Sequence, residues 1–311
     1  MDLDYEHKYL KYKKKYLDLK EYSGGLINLF KPTREQVLAA VKTNGLALKN
    51  YKDFQNDEEV VLAAVKQNGL ALEYASENLK NNEKIVLAAV QKYVLPLQYA
   101  SEKLRENKNF ILNVVNINGL SLSYASEKLK NDEEVVFTAV RQYGYALKYA
   151  SEELRENKEI VLVAVQQDED ALPYASKTLI SDINFILNAV KHNGLVLKYA
   201  SKFIRDKKIV LAAVQQNGEA LKYASKNLQN NEEVVLAAVT QNGLALEYAS
   251  EELRNNEKVV LAAVKENDYA FQYASYLLTK DIDVKLATEV GAKNQKQKKQ
   301  LRKMMNMNNM K

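Results

Sequence analysis

A string of about 25 residues is repeated along this chain ten times over. NDEEVVLAAVKQNGLALEYASENLK, residues 56–80, returns as NNEKIVLAAVQKYVLPLQYASEKLR at 81–105 and as NNEEVVLAAVTQNGLALEYASEELR at 230–254. Ten such repeats of 24 or 25 residues run from about Pro32 to Thr279, and half of another begins at Asp281. So short a period argues against one ordinary globular core, because a single repeat holds too few large apolar side chains to offset the entropy of ordering it. Each repeat must bury its apolar face on its neighbours, and stability then comes from nearest-neighbour interfaces.

Every repeat has the same grammar. A short polar residue comes first: Thr33, Asp57, Asn82, Asn107, Asp132, Asn157, Asp182, Asp206, Asn231, Asn256 and Asp281. Such side chains accept hydrogen bonds from the free amides of a helix start. Acids often follow at once, as in Glu58-Glu59 and Glu232-Glu233, where the helix dipole favours them. An apolar block and then Asn-Gly complete a first helix. Gly45, Gly69, Gly119, Gly144, Gly194, Gly218 and Gly243 are expected to end it in the left-handed conformation. A second helix follows directly, since Leu72, Ala75 and Leu79 stand at i, i+3 and i+7. Pro96 and Pro173 are expected within its first turn. Val-Val-Leu-Ala-Ala-Val also permits a strand, as in a horseshoe of strand–helix repeats. The alanine pair, the capped acidic start and the glycine end favour the helix. The expected fold is all-α, an α-solenoid of about ten tandem 24–25-residue helix–turn–helix repeats.

Composition narrows the chemistry. The 311 residues include no Cys, which excludes disulfides and thiolate ligands, and only two His, His7 and His192. Apolar runs reach about six residues, so no membrane span is expected, and the acidic start Asp2, Asp4, Glu6 is unlike a secretory signal. The formal charge of +5 is uneven. Residues 291–311 hold seven bases and no acid, which leaves 38 bases against 40 acids in residues 1–290. A nucleic-acid groove along the repeats would need a sustained basic stripe, so nucleic acid is expected only weakly, through the 291–311 tail. Three parts are expected: an amphipathic helix and Gly-Gly hinge at 1–31, the array with its half repeat at 32–290, and the basic tail at 291–311.

No catalytic, metal or cofactor motif is present: no phosphate loop, no dinucleotide glycine pattern, no paired nucleophile and base. The regular spacing of the Glu residues is explained by helix starts and solvated faces. His192 is expected on an exposed helix end. Nine repeats carry Tyr-Ala-Ser, from Tyr74 to Ser275. A ladder of tyrosines suits stacking or a proline-rich peptide. A triplet needed by nearly every repeat is better read as packing, with Tyr covering the neighbour, Ala permitting close approach and Ser bonding to a helix carbonyl.

The N-terminus reads DYEHKYLKYKKKYLDLKEYSGG, with Tyr5, Tyr9, Tyr12, Tyr16 and Leu19 on one helical seam. This KYLKYKKKYL leader resembles one on many proteins of mimivirus-type giant DNA viruses. The EEVVLAAVKQNGLALEYASEELR text, over residues 32–279, resembles a helical repeat of unknown function abundant in those viruses. The resemblance implies helical repeats, a viral or host-interacting role in host cytoplasm or virion, and no established activity.

The expected function is a non-enzymatic scaffold that binds a protein partner, with no small-molecule substrate and no cofactor. The alternative is a structural virion component that self-associates through the solenoid surface. Specificity is expected where the repeats differ, at the end of the first helix and the turn after it. Tyr93, Ile117, Tyr143 and Tyr145 replace polar or smaller residues there, and Tyr is a favoured interface anchor.

Overall fold

In the computed structural model residues 31–275 and Leu278 are described. The leader at 1–30, the half repeat from Asp281 and the 291–311 tail lie outside the described residues. Packing divides the chain into two compact bodies, one up to Leu104 and one from Arg105.

Each repeat opens with an α-helix of three turns or slightly less. In the first body these are Arg34–Thr43, Glu58–Gln67 and Glu83–Val90. In the second they are Lys108–Ile117, Glu133–Gln142, Lys158–Gln167, Ile183–His192, Lys207–Gln216, Glu232–Gln241 and Glu257–Glu266. The helices start where the capping residues predict. Asp57 accepts from the Val60 amide at 3.0 Å and Asn231 from the Val234 amide at 3.2 Å. Thr33 adds a reciprocal bond with Gln36, so that both free amides are satisfied. Val60, Val61, Ala64 and Val65 are buried while Leu62 on the same helix is half-exposed, and later repeats keep this division. The described residues include no strand, which disposes of the horseshoe reading.

The second helix is not what the spacing predicts. Gly69–Tyr74 is a 3₁₀ helix, Ala75 is extended, and Glu77–Lys80 is a separate single turn. Leu72, Ala75 and Leu79 are all buried, so their common face is real, but two short elements provide it. Pro96 lies in the first turn of its 3₁₀ helix, as expected, whereas Pro173 is the fifth residue of Glu169–Tyr174 and lies beyond the first turn. The two 24-residue repeats are one residue short at the second element, and there 3₁₀ turns at Lys52–Phe54 and Ser201–Phe203 replace the α turn.

The glycines also differ from expectation: none of the seven is left-handed. Asn, not Gly, closes the long helix, in extended backbone (Asn217 φ −147°), and Gly begins the 3₁₀ helix. The reason for Gly is a close approach between repeats. A Cβ on Gly144 would stand 2.3 Å from the Ala164 carbonyl oxygen of the next long helix, and one on Gly218 2.4 Å from that of Ala238. In each body the long helices therefore pack side by side in one layer and the 3₁₀ helices in a second, with the apolar core between them. This is α-solenoid stacking.

Tyr-Ala-Ser joins repeats, as the packing reading holds, but its serine acts differently. The Ser76 amide donates to the Gln55 carbonyl of the preceding repeat at 2.8 Å, and its hydroxyl donates to Asn56 Oδ1 at 2.6 Å. The same hydroxyl caps the single turn by accepting from the Leu79 amide at 3.4 Å. Ser176 repeats the main-chain bond, its amide 2.9 Å from the Arg155 carbonyl.

Candidate interaction surface

The junction between the long helix and the 3₁₀ helix is built from two polar side chains. The first is the Asn that closes the helix, whose Oδ1 accepts from the amide two residues on. Asn68 reaches Leu70 at 3.0 Å, Asn118 reaches Leu120 at 3.0 Å, and Asn193 reaches Leu195 at 3.1 Å. Asp168 does the same for the Asp170 amide at 2.9 Å. The second is the last residue of the long helix. Gln67 Oε1 accepts from the Gly45 amide of the preceding repeat at 2.6 Å, while its Nε2 donates to the Thr43 carbonyl at 3.3 Å. Gln216 clamps Gly194 and His192 in the same way, at 2.6 Å and 3.2 Å. The sequence gives no sign of this clamp, because a Gln at an exposed helix end looks like solvated surface.

The four residues singled out by sequence fall at this junction or next to it. Tyr143 occupies the place of the capping Asn and leaves its 3₁₀ helix without a side-chain cap. Tyr93 matches that Asn only in the repeated text: its long helix ends at Val90, and Val94 precedes the 3₁₀ helix, which also has no side-chain cap. Tyr93 is 75% exposed and Tyr143 40%. Ile117 takes the place of the clamping Gln and is 45% exposed. Tyr145 is half-buried one residue past Gly144. Tyr143 and Tyr145 come together, with ring centroids 6.2 Å apart. Tyr93 belongs to the first body and the other three to the second.

Two further residues complete the cluster in the second body. Tyr174, from the Tyr-Ala-Ser of the next repeat, meets the Tyr145 ring edge-on at 5.0 Å. Lys148 lies over the Tyr145, Tyr149 and Tyr174 rings at 5.3, 5.8 and 5.8 Å, and its Nζ donates to the Tyr145 hydroxyl at 3.1 Å. A hydrogen bond with the Tyr174 hydroxyl, and then the Lys148 ammonium, hold the Tyr145 phenol below its ordinary range. That hydrogen bond raises the Tyr174 phenol and burial adds to the rise; Lys148 is raised by its bond to Tyr145. The sequence hid both residues, since Tyr174 belongs to the recurring text and Lys148 stands where other repeats also carry a charge, as at Glu73, Lys198, Lys222 and Glu247.

A comparable cation lacks the aromatic neighbours. Lys198 lies over its own Tyr199 at 4.7 Å but is tied to Asp170 at 3.0 Å, and the Tyr199 hydroxyl donates to the same carboxylate at 2.7 Å. His192 ends its helix exposed, as expected, with Nδ1 2.9 Å from the Asn188 carbonyl. Among the described residues no helix is long and apolar enough to cross a membrane, and no cluster of three or more His, Asp or Glu could hold a metal ion.

The model of a domain of unknown function, DUF4116, matches residues 33–79, 57–105, 107–155, 132–180, 157–205, 182–229, 206–254 and 231–279. Every match begins at the residue that caps a long helix and spans two successive repeats, so the family's domain is a pair of these repeats. No curated protein and no solved structure matches the chain. With its matches reaching from residue 33 to residue 279, the chain belongs to the DUF4116 family.

Proposed function

We propose that this array is a protein-binding scaffold without catalytic activity, and that the junctions of the central repeats form its partner site. The observation that carries the reading is Tyr143. It stands where eight of the ten repeats place an Asn or Asp, and it leaves its 3₁₀ helix uncapped while exposing an aromatic ring; Tyr93, at the same place in the text of its own repeat, is also exposed. A side chain that worsens the local fold and adds exposed apolar area is the kind of local conflict found at functional positions. Around Tyr143, the Tyr145 and Tyr174 rings and the Lys148 ammonium supply an aromatic anchor with a polar edge, the composition that interface hot spots favour. The KYLKYKKKYL leader and the repeat text suggest a giant-virus protein, with a partner in the infected host or in the virion.

The test combines Tyr93→Asn, Ile117→Gln and Tyr143→Asn. Asn and Gln are what most other repeats carry at these places, so the variant should keep its helicity and melting temperature. Partners captured from infected-cell lysate by the unmodified protein should be lost by the variant. Equal recovery of the same partners by both proteins would remove the junctions from the interface.

A further inference from the structure

The outward faces of the long helices in the first body carry a feature separate from the junctions. Leu38, Leu62 and Leu87 are half-exposed and form an apolar stripe across Arg34–Thr43, Glu58–Gln67 and Glu83–Val90. Between the first two of these helices the stripe sinks into a groove of about 430 Å³, lined by Leu38, Lys42, Glu59, Leu62, Ala63 and Lys66. The two edges of the stripe have opposite charge. At the helix N-termini stand five acids, Glu35, Asp57, Glu58, Glu59 and Glu83, against two bases, Arg34 and Lys84. At the C-terminal ends stand Lys42, Lys66 and Lys92, with no acid. The second body lacks this segregation: Lys158, Lys207 and Lys208 lie at helix N-termini while Arg141 and Lys191 lie at C-terminal ends.

We infer that this face is a dimer interface whose occupant is the same face of a second copy of the chain. An apolar stripe between an acidic and a basic edge is complementary to itself under one operation, a twofold axis running along the stripe. That rotation sets the long helices of the two copies antiparallel and lays each acidic edge on the partner's basic edge. A twofold axis along the helices would instead oppose like charges. Electrostatics therefore selects a single isologous arrangement, and the Leu stripe supplies the apolar centre that such an interface needs. The dimer would present two copies of the proposed partner site, but it rests only on the charge pattern and the stripe of the first body.

Two charge-reversed full-length variants test it. Lys42→Glu with Lys66→Glu makes both edges acidic. Glu35→Lys with Glu83→Lys weakens the acidic edge at two exposed residues that form no salt bridge among the described residues. Sedimentation equilibrium should show a dimer for the unmodified protein at micromolar concentration, and each variant alone should dissociate at least about tenfold more readily. An equimolar mixture of the two variants should recover the dimer as a heterodimer, and circular dichroism should report equal helicity throughout. A chain that stays monomeric up to about a hundred micromolar overturns the inference, since that is far above the Kd of a specific interface of standard size. So does a dimer indifferent to both reversals, or a pair of variants that fails to heterodimerise.

Discussion

Tyr143 and Ser121 are two residues that the fold itself does not favour, and they separate function from drift. At position 143 an Asn would accept from the amide two residues on, as Asn118 and Asn193 do in their own repeats. Tyr143→Asn should therefore leave stability unchanged or raise it by up to about 1 kcal/mol, despite loss of the Tyr145 contact. A loss above about 1 kcal/mol in urea denaturation would show that the ring serves the fold. Ser121 is fully buried with no partner for its hydroxyl, at a place where Ala71, Ala146, Ala171 and Ala220 pack closely. Ser121→Ala should add about 1 kcal/mol by removing an unsatisfied polar group. The Gln clamp tests the opposite sign. Gln216→Ala leaves the Gly194 amide without its acceptor and should cost about 1–2 kcal/mol. Gln215→Ala, one residue earlier and exposed, should cost less than about 0.5 kcal/mol. Equal costs would mean that the clamp bears no stability.

At the scale of the element, the long helices were legible and the second element was not. Capping residues, first-turn acids and the Ala pair all reflect forces inside one helix, and each helix begins where they indicate. The 3₁₀ helix and the broken turn after it arise from forces between repeats. The Gly amide bonds to the following repeat, as at Gly194, while the Ser amide and the Ser hydroxyl bond to the preceding one, as at Ser76 (the single-repeat spacing of Leu72, Ala75 and Leu79 suits one helix or two short ones equally well). The site was legible in part for the same reason. Tyr93, Ile117 and Tyr143 stand out as departures from a repeated text, whereas Tyr174 matters only because stacking brings it to Tyr145.

Helix starts also carry a measurable pH dependence. Arg34, which donates to both oxygens of Asp57 at 2.6 and 3.0 Å, holds that carboxyl below its ordinary range. A depressed folded-state pKa contributes stability above the unfolded value and loses it as pH falls through the folded value. Asp57→Asn retains the cap and removes the charge. The unmodified protein should be more stable than Asp57→Asn by about 0.5–1 kcal/mol at pH 7. The difference should shrink below about pH 4 and vanish once Asp57 is protonated. A difference unchanged at pH 2 would assign it to the geometry of the cap rather than to charge.

For the whole molecule, the repeat is the unit that can be removed without leaving unsatisfied groups. Deleting residues 231–255 joins Asn230 to Asn256 and keeps the local text, since Asn256 caps its helix as Asn231 did. The Gln229 carbonyl, which accepts from the Ser250 amide at 2.9 Å, would then receive the equivalent Ser275 amide. The Gly218 amide, held by Gln241 at 2.5 Å, would meet Glu266, which holds Gly243 in the intact chain. Every contact across the new junction has a counterpart already in use elsewhere. Deleting residues 231–242 instead removes the long helix and keeps its 3₁₀ partner. Leu246, fully buried in the intact chain, then loses the Val234, Val235 and Val239 layer, and each of those side chains contributes about 1.5–3 kcal/mol when buried. The longer deletion should therefore unfold cooperatively close to the intact protein in urea, with helical signal reduced only in proportion to length. The shorter one should lower the midpoint sharply or lose cooperativity. The opposite order of damage is incompatible with stability that resides in interfaces between successive repeats.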